Sequence, residues 1–477
     1  MRIDPVVVDA IAQVAEEELA AWRVPGLALA VVDSSGPRLA RGFGRRSLAE
    51  DLPVTADTAF AIGSCTKAFT TAAIGVLADD GLLDWDAPVR AVMPEFELAD
   101  PVASREITLR DMCCHRSGLP AHDLVWYNAT LSQAELVRRI RYLEPSRPFR
   151  SAYQYSNLMY MAAGQVVARA AGRSWAEVVS ERILRPLGMR GTHPSGAGIE
   201  ELADWARPYT REDDGWRETY RYASSEGRPS GSVHSTARDL ATWLAFQLGA
   251  AAGSDTAPLL SAGQVANMRT PLVVPEPEAQ VPGTPLTAYA LGWFVQTYRG
   301  HLRVGHSGGV RGYSAMVSFM PDEGIGVAIA TNMDGHALGL ALQNRVYDLA
   351  LGLAPWDWTT TFRDLAKGGF VLAQAGAQER VEGTRPSHAL GAYAGTYRHP
   401  AYGEVEVAVD SDDLTMRFHA LTWRARHHHY DQFAVSGEVV ESIARFETEL
   451  DGTVGALSVR LEPNPRVAPI AFRRVSA

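Results

Sequence analysis

Two short β-type runs near the N-terminus are cut off from their counterparts by a long stretch that reads as helix. They are Gly26-Leu27-Ala28-Leu29-Ala30-Val31-Val32-Asp33 and residues 38–43, with Ser34-Ser35-Gly36-Pro37 as the turn between them. Strand texture returns at Tyr289-Ala290-Leu291-Gly292-Trp293-Phe294-Val295 and continues at 302–306, 315–320 and 326–330, before a helix over 336–352. An isolated two-stranded hairpin is marginal in water. The N-terminal pair is therefore expected to join the later strands in one antiparallel sheet, with the helical stretch as an insert. The expected fold class is α/β (α+β layered), in a domain of about 350 residues. Residues 5–22 read as an amphipathic helix with Pro5 near its start, and helices are predicted over 107–115, 132–143, 157–171, 174–185, 236–249 and 261–269. Thr236 and Asp239 have loose capping-box spacing.

After Pro355-Trp356-Asp357-Trp358 the chain reads as a helical linker to about residue 380. From Leu390 it becomes short strands with turn signals, such as 393–397, 404–409, 414–418 and 470–474. Roughly eight strands of that spacing suggest a small β-barrel. The expected domains are 1–355, a linker at 356–388, and a barrel at 389–477. The barrel has few residues of its own to bury, so it is expected to pack on the first domain.

A formal net charge of −10 argues against nucleic acid as the main partner. No apolar run reaches the length of a bilayer span, and the N-terminus, interrupted by Glu16, Glu17 and Glu18, does not read as a secretory signal. The three cysteines, Cys65, Cys113 and Cys114, make no disulfide framework. These features lead us to expect a cytoplasmic protein with no membrane partner.

Three motifs carry chemistry. In Ser64-Cys65-Thr66-Lys67 the serine opens a helix and the lysine lies three residues later on the same face. A serine hydroxyl needs a base beside it, and a lysine in an apolar site holds its proton less tightly. The helix start also offers unpaired N–H groups where an oxyanion would form. Tyr155-Ser156-Asn157 stands at a loop-to-helix junction. A phenol beside an ammonium ionises more readily and can take the Ser64 proton, and Asn157 can hold a substrate amide. His306-Ser307-Gly308-Gly309 sits at a strand end. Its glycines let a substrate lie along the edge, and His306 can donate to a substrate carboxylate or carbonyl, or join the proton shuttle. Taken singly, the second motif also fits a core tyrosine before a helix cap, and the third a turn after an edge strand.

In this order the three motifs resemble the serine β-lactamase and penicillin-binding-protein superfamily, especially its class C-like branch, whose motifs read S-x-x-K, Y-x-N and K-T-G or H-x-G. The resemblance extends over residues 8–350. It includes Val24-Pro25-Gly26, Thr108-Leu109-Arg110-Asp111, His115-Arg116-Ser117-Gly118-Leu119-Pro120 and Leu291-Gly292-Trp293. It implies an antiparallel sheet with a helical subdomain. Ser64 would be the acylated nucleophile, Lys67 and Tyr155 the general base and acid, and Asn157 and His306 substrate-orienting residues. The Ser64 and Gly309 N–H groups would form the oxyanion hole. His306 replaces the lysine of K-T-G, so efficient β-lactam hydrolysis is not expected.

The 390–397 run and the ending Ile470-Ala471-Phe472-Arg473-Arg474-Val475 resemble the lipocalin-like barrel attached to many such hydrolases. With H-x-G, the whole resembles two groups: D-stereospecific aminopeptidases and esterases, and penicillin-binding-protein-type thioesterases that release and cyclise nonribosomal peptides. The leading expectation is a peptide cyclase taking a peptidyl thioester, with a carrier protein as partner. The alternative is a D-stereospecific amidase, aminopeptidase or esterase acting on small substrates. A third reading is a non-catalytic β-lactam or peptidoglycan sensor. By resemblance to the cyclases, the barrel covers the Ser64 cleft and presents an arginine. Arg445, between two apolar neighbours, is the candidate lid contact, with Arg424 and Arg426 as alternatives; a solvated strand face is the plainer role.

Other features are read as structural. Cys65 lies about 100° round the helix from Ser64 and is expected to pack. His427-His428-His429 alternate faces in a strand, and neither metal nor cofactor is expected. Arg138, Arg139, Arg141, Arg147 and Arg150 form a solvated helix face or, in a second reading, a docking surface for an acidic carrier.

Overall fold

The computed structural model describes residues 1–212, 215–219, 227–249, 259–276, 281–365, 373–374 and 379–475. Its contacts divide the chain into two compact units. One comprises Met1–Met93, Thr108–Cys114 and Met159–Gly369, and the other Pro94–Ile107, His115–Leu158 and Phe370–Ala477.

The first unit holds an eight-stranded sheet: β1 Gly26–Asp33, β2 Gly36–Ser47, β3 Leu52–Pro53, β4 Thr287–Tyr289, β5 Phe294–Tyr298, β6 His301–Val310, β7 Tyr313–Met320 and β8 Ile325–Thr331. Their spatial order is β3-β2-β1-β8-β7-β6-β5-β4. The N-terminal hairpin joins the later strands as expected, with Leu27 opposite Thr331 and Val32 opposite Gly326 in antiparallel register. β1 is apolar almost throughout because both its faces are covered, and all eight of its residues are buried. Leu27, Leu29 and Val31 share a core with Ile11 and Val14 of helix α1 (Pro5–Trp22), and with Leu342 and Val346 of the helix Leu338–Leu351. The opposite face receives the helix Ala237–Gln247. A side chain at Gly326 would come within 2.8 Å of Val32 and 3.1 Å of Leu244, so the small residue permits that approach. Asp4 caps α1 by accepting the Val6 N–H, with Pro5 in the first turn.

The predicted strand over 289–295 is two strands. Gly292 turns the chain at φ +79°, and a Cβ there would lie 3.0 Å from the Lys67 carbonyl oxygen. The helix over 174–185 is Trp175–Val179, a π-turn at Ser180–Leu184, then Arg185–Leu187. Pro186 has no N–H to continue the α-helical ladder. Only half of the Thr236 capping box forms: Thr236 accepts the Asp239 N–H, while the Asp239 carboxylate takes the Thr192 hydroxyl. Of the expected helical linker, Trp358–Leu365 is helical; residues 366–372 and 375–378 lie outside the described residues.

The second unit contains a closed eight-stranded barrel. Its strands, in spatial order, are Val440–Thr448, Gln432–Gly437, Leu421–His429, Asp413–Phe418, Gly403–Asp410, Gly395–His399, Ile470–Arg474 and Val454–Val459; the last pairs back to the first. Contrary to expectation, the barrel has ample core of its own. Val405, Met416, Phe418, Trp423, Phe433, Phe446, Val459 and Phe472 are all buried. Arg445 points outward between buried Ala444 and Phe446, as strand alternation predicts. Arg424 and Arg426 both reach Asp413 on the outer surface. Arg138 and Arg139 pair with Glu135, Arg141 with Glu97 and Arg150 with Glu106, so much of the basic cluster is met by acids of its own unit. Among the described residues, no helix is long and apolar enough to cross a membrane.

Candidate active site

Ser64 lies in a 3-10 turn, Gly63–Cys65, that runs into the α-helix Thr66–Asp79. The helix is buried from Thr66 to Leu77, which explains its lack of a polar stripe. Lys67 is therefore fully buried. Its Nζ donates to Ser64 Oγ at 3.0 Å and to the Ser230 carbonyl at 2.9 Å. It also lies 5.2 Å from the centre of the Tyr160 ring, within cation–π range. The Ser230 carbonyl is fixed from both sides. Thr70 donates to the Pro229 carbonyl at 2.7 Å, Thr66 accepts the Val233 N–H at 3.0 Å, and Phe60–Ala61 pairs with His234–Ser235.

Strand β6 passes hard against the serine turn. A Cβ on Gly308 would lie 1.9 Å from the Ile62 carbonyl oxygen and 3.0 Å from the Ser64 nitrogen, so that position has room only for glycine. Gly63 has φ +49°, and a Cβ on it would lie 2.7 Å from the Gly309 nitrogen. A Cβ on Gly309 would meet nothing within 4 Å. The two amides expected to form the oxyanion hole thus belong to two segments in direct contact.

His306 lies inside β6, not in a turn after it, because the strand continues to Val310. Its ring is buried, and burial, with the nearby Lys67 charge, pushes its pKa down to about 3. The imidazole is therefore neutral. Nδ1 lies 2.5 Å from the Ser307 carbonyl, which can only accept, so Nδ1 carries the hydrogen. Nε2 is then the acceptor for Tyr289 Oη at 3.0 Å. A neutral ring with its donor on the backbone has no positive charge to offer a carboxylate. The Cys65 thiol donates to the His306 carbonyl at 3.1 Å, and burial pushes its pKa up to about 12, which is a packing role.

Tyr155 and Asn157 belong to the second unit. Tyr155 is half-buried, its ring 4.4 Å from that of His115 and tilted by 36°. His115 is buried at φ +62°; its Nδ1 accepts the Ser156 N–H at 3.1 Å, and its carbonyl accepts the Gln154 N–H at 2.7 Å. Asn157 donates its amide to Asp123 at 3.0 Å, and Trp126 donates to the same oxygen at 2.9 Å. That bond orients the Asn157 side chain. Sequence reasoning gave no role to His115, Asp123, Ser230 or Tyr289. His115 stood in a quoted motif, but nothing in its spacing shows that it organises the tyrosine loop. Among the described residues, no cluster of three or more His, Cys, Asp or Glu is arranged to hold a metal ion.

The sequence matches the family described as Beta-lactamase over residues 11–351. The chain belongs to the Beta-lactamase family. A second match, to the Domain of unknown function DUF3471, covers residues 379–474 and so takes in the barrel. Unguisins hydrolase ungD' of Aspergillus campestris is 31% identical over 430 residues, spanning 84% of this chain and 78% of that protein. The octameric penicillin-binding protein homologue from Pyrococcus abyssi superposes with a TM-score of 0.63 at 21% identity, covering 98% of this chain and all of that one. The D-stereospecific amidohydrolase from Streptomyces sp. has a TM-score of 0.58 at 24% identity, over 72% of this chain and 99% of that one. At such identities the structural likeness is one of fold. The resemblance to the superfamily holds, and this Beta-lactamase-family chain has the fold of a serine hydrolase.

Proposed function

We propose that the protein hydrolyses amide bonds of peptides through an acyl-enzyme on Ser64. The Lys67–Ser64 hydrogen bond, made by a fully buried lysine, carries this reading. Ser64 Oγ attacks the substrate carbonyl, and its proton passes to the Lys67–Tyr155 pair, which holds one proton fewer than its full complement. The Ser64 and Gly309 N–H groups receive the developing oxyanion. The pair then protonates the leaving amine, the C–N bond breaks, and an ester remains. Water repeats the sequence, giving a carboxylic acid and free Ser64. Asn157 orients the substrate amide.

Water is proposed as the acceptor because the relative matched over 84% of this chain is a hydrolase by name. The neutral His306 offers no positive charge to a substrate carboxylate, and both of its ring nitrogens are already engaged, by the Ser307 carbonyl and by Tyr289. A D-residue on the acyl side is the proposed stereochemical preference. Macrocyclisation, the leading expectation from sequence, uses the same acyl-enzyme with an internal amine as acceptor. The test is to give the enzyme matched D- and L-peptidyl anilides, and a peptidyl thioester with a free N-terminus, and to separate products by mass. Linear acid from the D-substrate supports the proposal. Cyclic product would replace water by the internal amine, and no turnover of any of them would overturn peptide acyl transfer.

A further inference from the structure

The barrel turn between Val454–Val459 and Ile470–Arg474 reaches, within the second unit, two segments that adjoin or hold the Tyr155–Asn157 motif. Glu462 is buried, and its carboxylate accepts the His122 N–H at 2.6 Å and the Asn464 N–H at 3.0 Å. Asn464 donates its amide to Gln154 Oε1 at 3.0 Å and to Ser146 Oγ at 3.3 Å, while the Ser146 hydroxyl donates to the same Gln154 oxygen at 2.6 Å.

Each contact falls one residue from a functional side chain. Gln154 immediately precedes Tyr155. His122 immediately precedes Asp123, which takes the Asn157 amide. His122 also has φ +46°, a conformation that a non-glycine residue adopts only when its surroundings hold it there. The Glu462 contact and the 2.8 Å approach of Tyr402 Oη to His122 Nδ1 both come from the barrel. Pro463 and Pro465 flank Asn464 and restrict the turn. Arg460 donates to the Val467 carbonyl at 2.9 Å, bracing the turn across its base.

We infer that Glu462 and Asn464 are positioning residues through which the barrel sets the geometry of Tyr155 and Asn157. The inference rests on the proposed acyl-enzyme chemistry. The C-terminal domain then contributes to catalysis through these hydrogen bonds.

An amide and an activated ester separate this role from plain stability. Expelling an amine requires protonation by the Lys67–Tyr155 pair, whereas p-nitrophenolate leaves without it. In Asn464→Ala and Glu462→Gln, kcat for a peptide anilide should fall about ten- to a hundredfold, as for misplaced catalytic groups, with KM little changed. Hydrolysis of the matching p-nitrophenyl ester should fall far less. Glu441→Ala, on the outer barrel face, should leave the amide-to-ester ratio unchanged. If Glu462→Gln does not fold, Asn464→Ala alone decides. Amide and ester rates falling in parallel, or neither falling, in folded Asn464→Ala would overturn the inference. Covalent labelling of wild-type Ser64 is measured alongside: its absence would remove the underlying chemistry, whereas its presence with an unchanged ratio would remove only the positioning role.

Discussion

Replacing Lys67 by methionine keeps the length and bulk of the side chain while deleting its charge and its donors. The lysine is fully buried and bonds Ser64 at 3.0 Å and the Ser230 carbonyl at 2.9 Å. Two effects on stability oppose each other. The Ser230 carbonyl loses a partner, costing about 1–3 kcal/mol. Removing a buried charge relieves a desolvation penalty that is on the order of several kcal/mol per ion, part of which its hydrogen bonds already offset. The net change in folding free energy should therefore be small, within about 2 kcal/mol either way. Activity should respond quite differently. Groups that act as a unit with the nucleophile fail together, so kcat/KM should fall by on the order of 10⁴ to 10⁶, or about 5–8 kcal/mol of transition-state stabilisation. The assay pairs kcat/KM on a peptide anilide with a urea unfolding curve of the same preparation. A folded Lys67→Met protein within tenfold of wild type would refute the role given to the lysine.

Gly308→Ala would place a methyl group 1.9 Å from the Ile62 backbone carbonyl oxygen, which cannot swing aside as a side chain would, so the serine turn must move. We expect a loss of about 1–3 kcal/mol in stability and a fall of about a hundredfold in kcat/KM, checked by calorimetry and kinetics. His306→Ala should lower kcat/KM on the peptide substrate, since Tyr289 loses its acceptor. His306→Lys should not restore it, because a second ammonium would sit in the field of Lys67; wild-type kinetics in His306→Lys would refute this. Burial holds His306 at about pKa 3 and His122, His336, His399 and His419 at about 4, so all five stay neutral in the folded protein well below the point where an unfolded histidine charges. Their contribution is complete above about pH 6.5 and is lost as the pH falls toward 4, because the unfolded chain takes up protons that the folded one does not; the more deeply buried His306, His122 and His336 dominate, and the partly exposed His399 and His419 add less. Burial raises the pKa of Asp239 and Glu462, which acts in the opposite sense but involves fewer groups. Urea midpoints at pH 7, 5.5 and 4.5 should fall in that order.

Periodicity and turn chemistry made much of the fold legible. The β1–β2 hairpin could not stand alone, and it found the later strands as expected. Alternation around Arg445 correctly turned it outward. Misreadings arose where tertiary contact overrides local pattern. Gly292 turns because the backbone at Lys67 lies against it, and Gly308 does not end a strand because it serves a close approach to Ile62. Neither contact has a local signature. The hydroxyl–lysine pair was visible as i, i+3 spacing on one helix. Its supports were not: the Ser230 carbonyl is held more than a hundred and sixty positions away, at a separation of 163. Likewise, Glu462 meets His122 across 340 positions, a pairing that no single sequence displays.

The account depends most on Ser64 carrying the acyl group. Brief reaction with an acylating probe, acid quenching and intact-mass measurement test this directly, followed by mapping of the modified peptide. One adduct per chain is expected, located at Ser64, retained in Cys65→Ala and absent in Ser64→Ala. An adduct of the same mass on the Ser64→Ala protein, or one mapped to another residue of the wild type, would contradict it.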